Sequence, residues 1–275
     1  MARFGYFRRL KVLSLLVAAA SGCGGEGADD DDMAAVQSAV MSENALSANA
    51  LSANALSANA LSANALSANA LSANALSANA LSANALTAAA LRDPLAREFL
   101  KYVVSCALDE DDQIVMRIDG KRYVFPGSLG LAREWGRERG SCDGECQRWV
   151  SACVLSRVDY AGVKRIISLR GEHRALKPED NEVRRFNDRE ATYYGNVLIP
   201  GQPMFMCLSP GKDSNERVCG DSMTDCPMKV VGSCDDACAD EGKYRSFGDC
   251  SDKGRAGRGR TYHESITVFL PKSAM

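Results

Sequence analysis

The apolar positions divide this chain into three unlike stretches. The first is a run from Val12 to Ala20, preceded by the cations Arg3, Arg8, Arg9 and Lys11 and followed by Ser21-Gly22. It is shorter than the roughly 20 residues a permanent membrane helix needs, so the layout is that of an export signal over residues 1–22. In the second stretch a leucine falls at every fifth position from Leu46 to Leu91, mostly in the unit Leu-Ser-Ala-Asn-Ala. On an α-helix a step of five residues turns about 140°, which would spread the leucines over all sides. On a strand an odd period would send them to alternate faces. A square coil with one unit per side turns every leucine inward and stacks coil on coil, so a β-solenoid is expected over 46–91. A helix, favoured locally by alanine, is the alternative.

The third stretch, 92–275, mixes helical and strand periods. Asp93 and Pro94 are start signals for a helix carrying Leu95, Phe99, Tyr102, Val103, Cys106 and Ala107 on one face. Asp119-Gly120, between the runs Ile114–Ile118 and Lys121–Phe125, predicts a tight hairpin. A second helix is expected between Asp143 and Tyr160, with Cys146, Trp149, Val150, Cys153 and Val154 on one side. Strands are expected at Val163–Leu169, Thr192–Ile199, Met204–Leu208, Met228–Val231 and Tyr262–Leu270, with a charged, turn-rich stretch from Gly171 to Glu190. Helices and strands without a βα repeat indicate an α+β domain with an antiparallel sheet and two helices. At 184 residues it is long enough for one core.

Charge is unevenly placed. Of 33 basic and 35 acidic residues, 4 and 6 precede Arg92, leaving 29 of each in the domain. A neutral domain offers no basic face for nucleic acid. Asp29 to Asp32, beside Gly24, Gly25 and Gly27, reads as a solvated linker over 23–45 and lacks the alternate spacing of a calcium loop.

The cysteine count ties these stretches together. Eleven are present, and setting Cys23 aside leaves Cys106, Cys142, Cys146, Cys153, Cys207, Cys219, Cys226, Cys234, Cys238 and Cys250. In an exported chain these ten are expected to form up to five disulfides, in any of about 945 pairings. Zinc is the alternative for Cys142-x3-Cys146 and Cys234-x3-Cys238, but compact zinc sites favour tighter spacing and reducing surroundings. No metal or other cofactor is expected.

Two resemblances add to this reading. Ala20-Ser21-Gly22-Cys23 resembles the lipobox of bacterial lipoproteins, which implies that Cys23 is acylated and serves as a membrane anchor. More than one acyl chain on a residue holds a protein stably to lipid. The Leu-centred five-residue period resembles the pentapeptide-repeat family, whose members form a quadrilateral right-handed β-helix. Here Asn49, Asn54 and Asn59 stand where that family prefers alanine. The 68 residues between Cys23 and Arg92 then read as a spacer, with a reach of roughly 45 Å as a flexible chain.

Catalytic signatures are few. His173 and His263 are the only histidines, and both read as packing or surface residues. The chain has no Gly-x-Ser-x-Gly elbow, phosphate-cradling glycine loop or His-Glu-x-x-His pair. Cys146-Gln147-Arg148-Trp149 lacks the paired spacing of papain-like enzymes. Tyr193, Tyr194 and Asn196, around Gly195, are the candidate recognition residues, with core packing as the other reading of the two tyrosines. The expectation is an exported lipoprotein, at the outer membrane facing the periplasm or cell surface. Its contacts would be membrane lipid through Cys23, no nucleic acid, and an unidentified envelope or extracellular ligand bound by a noncatalytic domain. The rival is an envelope-polymer hydrolase using paired carboxylates.

Overall fold

The computed structural model describes residues 41–44, 46–47, 90–92, 94–137, 140–199, 201–254 and 259–272. The export signal, Cys23, the acidic run, Asp93 and almost all of the repeat lie outside the described residues.

Two short strands come first, β1 (Met41–Asn44), within the stretch expected as a linker, and β2 (Leu46–Ser47), at the first unit of the repeat. A 3-10 turn, Ala90–Arg92, leads into α1 (Pro94–Ala107), which buries Phe99, Leu100, Val103 and Cys106 on its apolar face. The hairpin of β3 (Gln113–Ile118) and β4 (Lys121–Pro126) turns at Asp119 and Gly120, both with positive φ (48° and 80°), as a two-residue turn of this kind requires. Alternation along β3 is regular: Ile114, Met116 and Ile118 face inward, while Val115 and Arg117 face solvent.

Helix α2 (Gly144–Ser156) starts where the Asp143 carboxylate accepts the Cys146 N–H at 2.9 Å. After it come β5 (Val158–Asp159), β6 (Arg165–Arg170), α3 (Asp180–Arg185), β7 (Phe186–Gly195) and β8 (Met204–Leu208). The cysteine-rich remainder holds α4 (Glu216–Cys219), β9 (Lys229–Ser233), α5 (Cys234–Ala237), β10 (Ala239–Glu241), β11 (Phe247–Gly248), β12 (Cys250–Ser251) and β13 (Thr261–Tyr262). Strand β14 (Ser265–Pro271) ends it.

Six strands form the main sheet in the order β1-β6-β14-β7-β8-β9, antiparallel except for β8 with β9. The fold is therefore of mixed α and β content with antiparallel sheets. Strand β7 begins at Phe186, six residues earlier than its apolar pattern predicts, and ends at Gly195. Its polar start, Asn187-Asp188-Arg189, is held in strand by β14, which pairs with it from Phe186 to Tyr194. Pairing overrides local composition here. Gly195 has φ +123°, and a Cβ there would lie 2.5 Å from the Pro203 carbonyl oxygen, so only glycine fits this strand end.

Both faces of the sheet are covered. One face presents Ile167, Leu169, Ala191, Tyr193, Met206, Ile266 and Val268 to the cluster that includes α1 and α2. The other presents Tyr194, Phe205 and Cys207 to a smaller cluster with Cys234, Cys238, Phe247, Cys250 and Tyr262.

Five disulfides join all ten described cysteines. Cys106–Cys153 staples α1 to α2, Cys142–Cys146 closes the entry to α2, and Cys219–Cys226 closes the loop after α4. Cys207–Cys234 ties β8 to α5, and Cys238–Cys250 ties the end of α5 to β12. The last two lie against each other, with Cys207 Sγ and Cys238 Sγ 3.6 Å apart. Three of their sulfurs, on Cys207, Cys238 and Cys250, fall within 4.8 Å of one another. Among the described residues no helix is long and apolar enough to cross a membrane.

Candidate functional site

A cleft of about 550 Å³ opens between the β5 turn and the segment from Lys212 to Asp221. Its floor is built on β7 and α4. Asn215 caps α4 by accepting the Val218 N–H, which sets Arg217 on the buried side of a single helical turn. Arg217 Nε donates to Glu190 Oε1 at 2.8 Å and Nη2 donates to Glu190 Oε2. Its Nη1 donates to the carbonyls of Ser156 and Val158. The Tyr193 hydroxyl donates to Glu190 at 3.1 Å and accepts from Asn215 and Arg217, each at 2.8 Å.

This network is buried, and its members bond one another. Burial alone would lower the Arg217 pKa, but the Glu190 charge, Tyr193 and the hydrogen bond to Glu190 outweigh it, so the net direction is upward and the guanidinium stays charged. Burial pushes the Tyr193 phenol well above its ordinary value, which keeps it a neutral donor. A second carboxylate, Asp159, accepts the N–H groups of Ala161 (3.1 Å) and Val163 (2.9 Å) and pairs with Arg165. Arg157 shows the opposite condition to Arg217: its Nη1 donates to Ser105 Oγ, yet its Nε and Nη2 are buried without an acceptor among the described residues, and burial lowers its pKa to about 10.

The rim differs from the floor. Tyr160 is 59% exposed and its ring lies over Gly220, where a Cβ would come within 2.8 Å of the ring carbons. Gly220 is also in the left-handed region (φ +65°), so conformation and space both demand glycine. Around this ring stand Ser214, Glu216 and Asp221, whose side chains have no hydrogen-bond or ion-pair partner among the described residues. Lys212 pairs with Asp188 at 2.9 Å.

A smaller cleft of about 300 Å³ is lined by Arg133, Glu134, Trp135, Asp143, His173 and Arg174. Trp135 is fully buried in the 3-10 turn Arg133–Gly136. His173 Nδ1 accepts the Ala175 N–H at 3.1 Å and its ring packs 5.3 Å from Trp149. Burial, with Arg174 and Arg133 nearby, lowers its pKa, so the imidazole is held neutral as a cap. His263 is exposed, with Nδ1 2.5 Å from Asp249 Oδ1.

The recognition residues expected from sequence are placed inside the protein. Tyr193 and Tyr194 are fully buried and, as neighbours on β7, point to opposite faces of the sheet. The Tyr194 hydroxyl donates to the Ser251 carbonyl at 2.9 Å and its ring packs on Phe205 and Tyr262. Asn196 is 6% exposed; its Oδ1 accepts from Ser151 and Leu198 N, and its Nδ2 donates to Gln147. All three side chains have core partners, so none offers a contact surface to a ligand. The exposed aromatic is Tyr160, which the pattern places at a helix end, and the Glu190–Arg217 pair spans 27 residues without any local signal. Protein-family models, curated proteins and solved structures yield no match to this chain.

Proposed function

We propose that the chain is an exported envelope protein held to the outer membrane through acyl chains on Cys23, facing the periplasm or the cell surface. Its α+β domain, with two long helices, binds an envelope or extracellular ligand without converting it. The disulfide pairing of all ten described cysteines supports export, since such bonds persist in oxidising surroundings. One observation carries the binding reading: the buried carboxylates of the large cleft are already occupied. Glu190 is clamped by Arg217 and Tyr193, and Asp159 by two backbone N–H groups and Arg165. Carboxylate oxygens taken up in such bonds are not presented to a substrate. The free groups lie on the rim around the Tyr160 ring, an arrangement suited to a hydroxyl-rich ring compound stacked on the aromatic and hydrogen-bonded by Ser214, Glu216 and Asp221.

The repeat is read as a β-solenoid. This reading rests on the five-residue leucine period alone.

Two measurements test the proposal. Cys23→Ala moves the protein from the membrane fraction to the soluble fraction, and continued retention overturns the anchor. Soluble glycan fragments of the envelope bind the wild-type protein, and Tyr160→Ala weakens that binding at least tenfold with the circular dichroism spectrum unchanged. Cleavage of those glycans by the wild type, abolished in Glu216→Gln, would establish the hydrolase instead.

A further inference from the structure

The five bridges are not equally sheltered. Cys106, Cys153, Cys207, Cys234, Cys238 and Cys250 are all buried, so three bridges have no exposed end. Cys146 is half-buried and lines the smaller cleft, while its partner Cys142 is fully buried. The other bridge with a half-buried end, Cys219–Cys226, lines neither of the two clefts. Cys142–Cys146 also closes the smallest loop, its partners 4 residues apart against 47, 27, 12 and 7, so its loss costs the fold least. The entry to α2 has other fastenings. The Asp143 carboxylate accepts the Cys146 N–H, the Gln147 N–H donates to the Asp143 carbonyl at 2.9 Å, and Gln147 Nε2 donates to the Cys142 carbonyl at 3.0 Å. These bonds involve no sulfur and hold both cysteine backbones.

The cleft itself suits an incoming thiolate. Arg133 is committed to Asp109 (3.0 Å), Glu134 to Arg137 (2.9 Å) and the Asp143 carboxylate to the helix cap. Arg174 is exposed and has no hydrogen-bond or ion-pair partner among the described residues. An uncommitted cation beside a half-buried sulfur favours the anionic form of an attacking thiol.

From this we propose that Cys142–Cys146 is an exchangeable disulfide, opened by a dithiol that enters the smaller cleft. One thiolate of the dithiol attacks Cys146 Sγ, the reachable sulfur. A new S–S bond forms there, the Cys146–Cys142 bond breaks, and the electron pair leaves on Cys142. The second thiolate of the dithiol then attacks the first sulfur in the mixed disulfide and expels Cys146 as a thiolate. The dithiol is oxidised to a disulfide, the bridge is reduced to two thiols, and the two protons lost by the dithiol pass through solvent to Cys142 and Cys146. In the reverse direction a disulfide partner is reduced, with buried Cys142 as the resolving sulfur that restores the bridge. This exchange depends neither on the anchor at Cys23 nor on ligand binding at the larger cleft.

The test treats the native full-length protein with dithiothreitol, or with a reduced peptide carrying two cysteines, at equal thiol concentration. New thiols are alkylated and mapped by mass spectrometry. Cys142 and Cys146 are labelled roughly tenfold faster than the cysteines of the other four bridges, with the circular dichroism spectrum unchanged. Faster opening by the peptide supports the site with protein thiols as its partner, and faster opening by dithiothreitol supports it with a small dithiol. Labelling that begins at another bridge, or only as the protein unfolds, overturns the proposal. Arg174→Ala slows the opening about threefold and Arg174→Lys keeps the native rate. A rate that Arg174→Ala leaves unchanged overturns the cleft as the place of attack. With glutathione, which has one thiol, the mixed disulfide is found on Cys146; an adduct on Cys142 overturns the assigned order.

Discussion

The two faces of the central sheet reach burial by different means. Toward α1 and α2, the strands present Ile167, Leu169, Ala191, Met206, Ile266 and Val268, and the packing is almost wholly apolar. Toward α3, α5 and β11 they present Ser168, Arg170, Thr192, Thr267 and Ser265 beside Tyr194, Phe205 and Cys207, all of them buried. Here hydrogen bonds fill the role of area. Thr192 and Thr267 share a bond at 2.8 Å, Thr267 also accepts the Phe247 N–H, and Ser265 donates to the Phe247 carbonyl. Ser168 donates to Glu182 and accepts from Arg170, whose guanidinium lies 3.7 Å from the Phe269 ring centre. The covering segment on this side has α5 of four residues and strands of two or three, too little apolar surface to hold itself. Two disulfides fasten it. Alternating polar positions therefore need not mean a solvated face; they can mean a face closed by bonds instead of by hydrocarbon.

This contrast can be broken at particular residues. The largest effect is expected on the apolar side, where Glu190 and Arg217 are the buried ionic insertion. Arg217→Ala leaves the Glu190 charge buried and unpaired and should cost about 3–5 kcal/mol in urea denaturation. A loss below about 1 kcal/mol would mean that water reaches the pair. On the bonded side, Cys207→Ala with Cys234→Ala opens a loop of 27 residues and should cost about 3.5 kcal/mol. Hydrogen exchange should then rise first at Phe247 and Tyr262, with α2 still protected; uniform loss of protection would show that both faces form one cooperative unit.

The smallest effect concerns His173, at the edge of the apolar side, where it caps the turn that buries Leu176. Its pKa is lower in the folded state than in the unfolded chain, so the unfolded state binds the proton more readily as pH falls below about 6.5. Stability from this group is complete above that value and declines as pH falls toward the depressed folded pKa. His173→Gln should flatten that decline in denaturation midpoints between pH 7 and 5, and an unchanged slope would remove His173 as its source.

Several elements were legible because their signals are local. Pro94 and the apolar stripe behind it marked α1, Asp119-Gly120 marked the hairpin, and the run Met204–Leu208 matched β8. The start of β7 was not legible, since Asn187-Asp188-Arg189 looks like a turn until β14 lies beside it. Of the large cleft, the sequence singled out Tyr193 alone, as a recognition residue. Glu190, Tyr193 and Arg217 meet only through the packing of β7 against α4, and Tyr160 becomes a platform only because Gly220 lies beneath it.

Sequence alone determined what depends on spacing and count: the five-residue period, the run of cations and then apolar residues before Cys23, the neutral charge of the domain and an even set of ten cysteines in it. Tertiary structure decided which of about 945 pairings those cysteines adopt, because a disulfide depends on distances that chain order does not contain. For the same reason it decided that Tyr193, Tyr194 and Asn196 are core residues and Tyr160 is exposed. A residue's place in the sequence constrains its period and its neighbours; what covers it is set by segments far away in the chain.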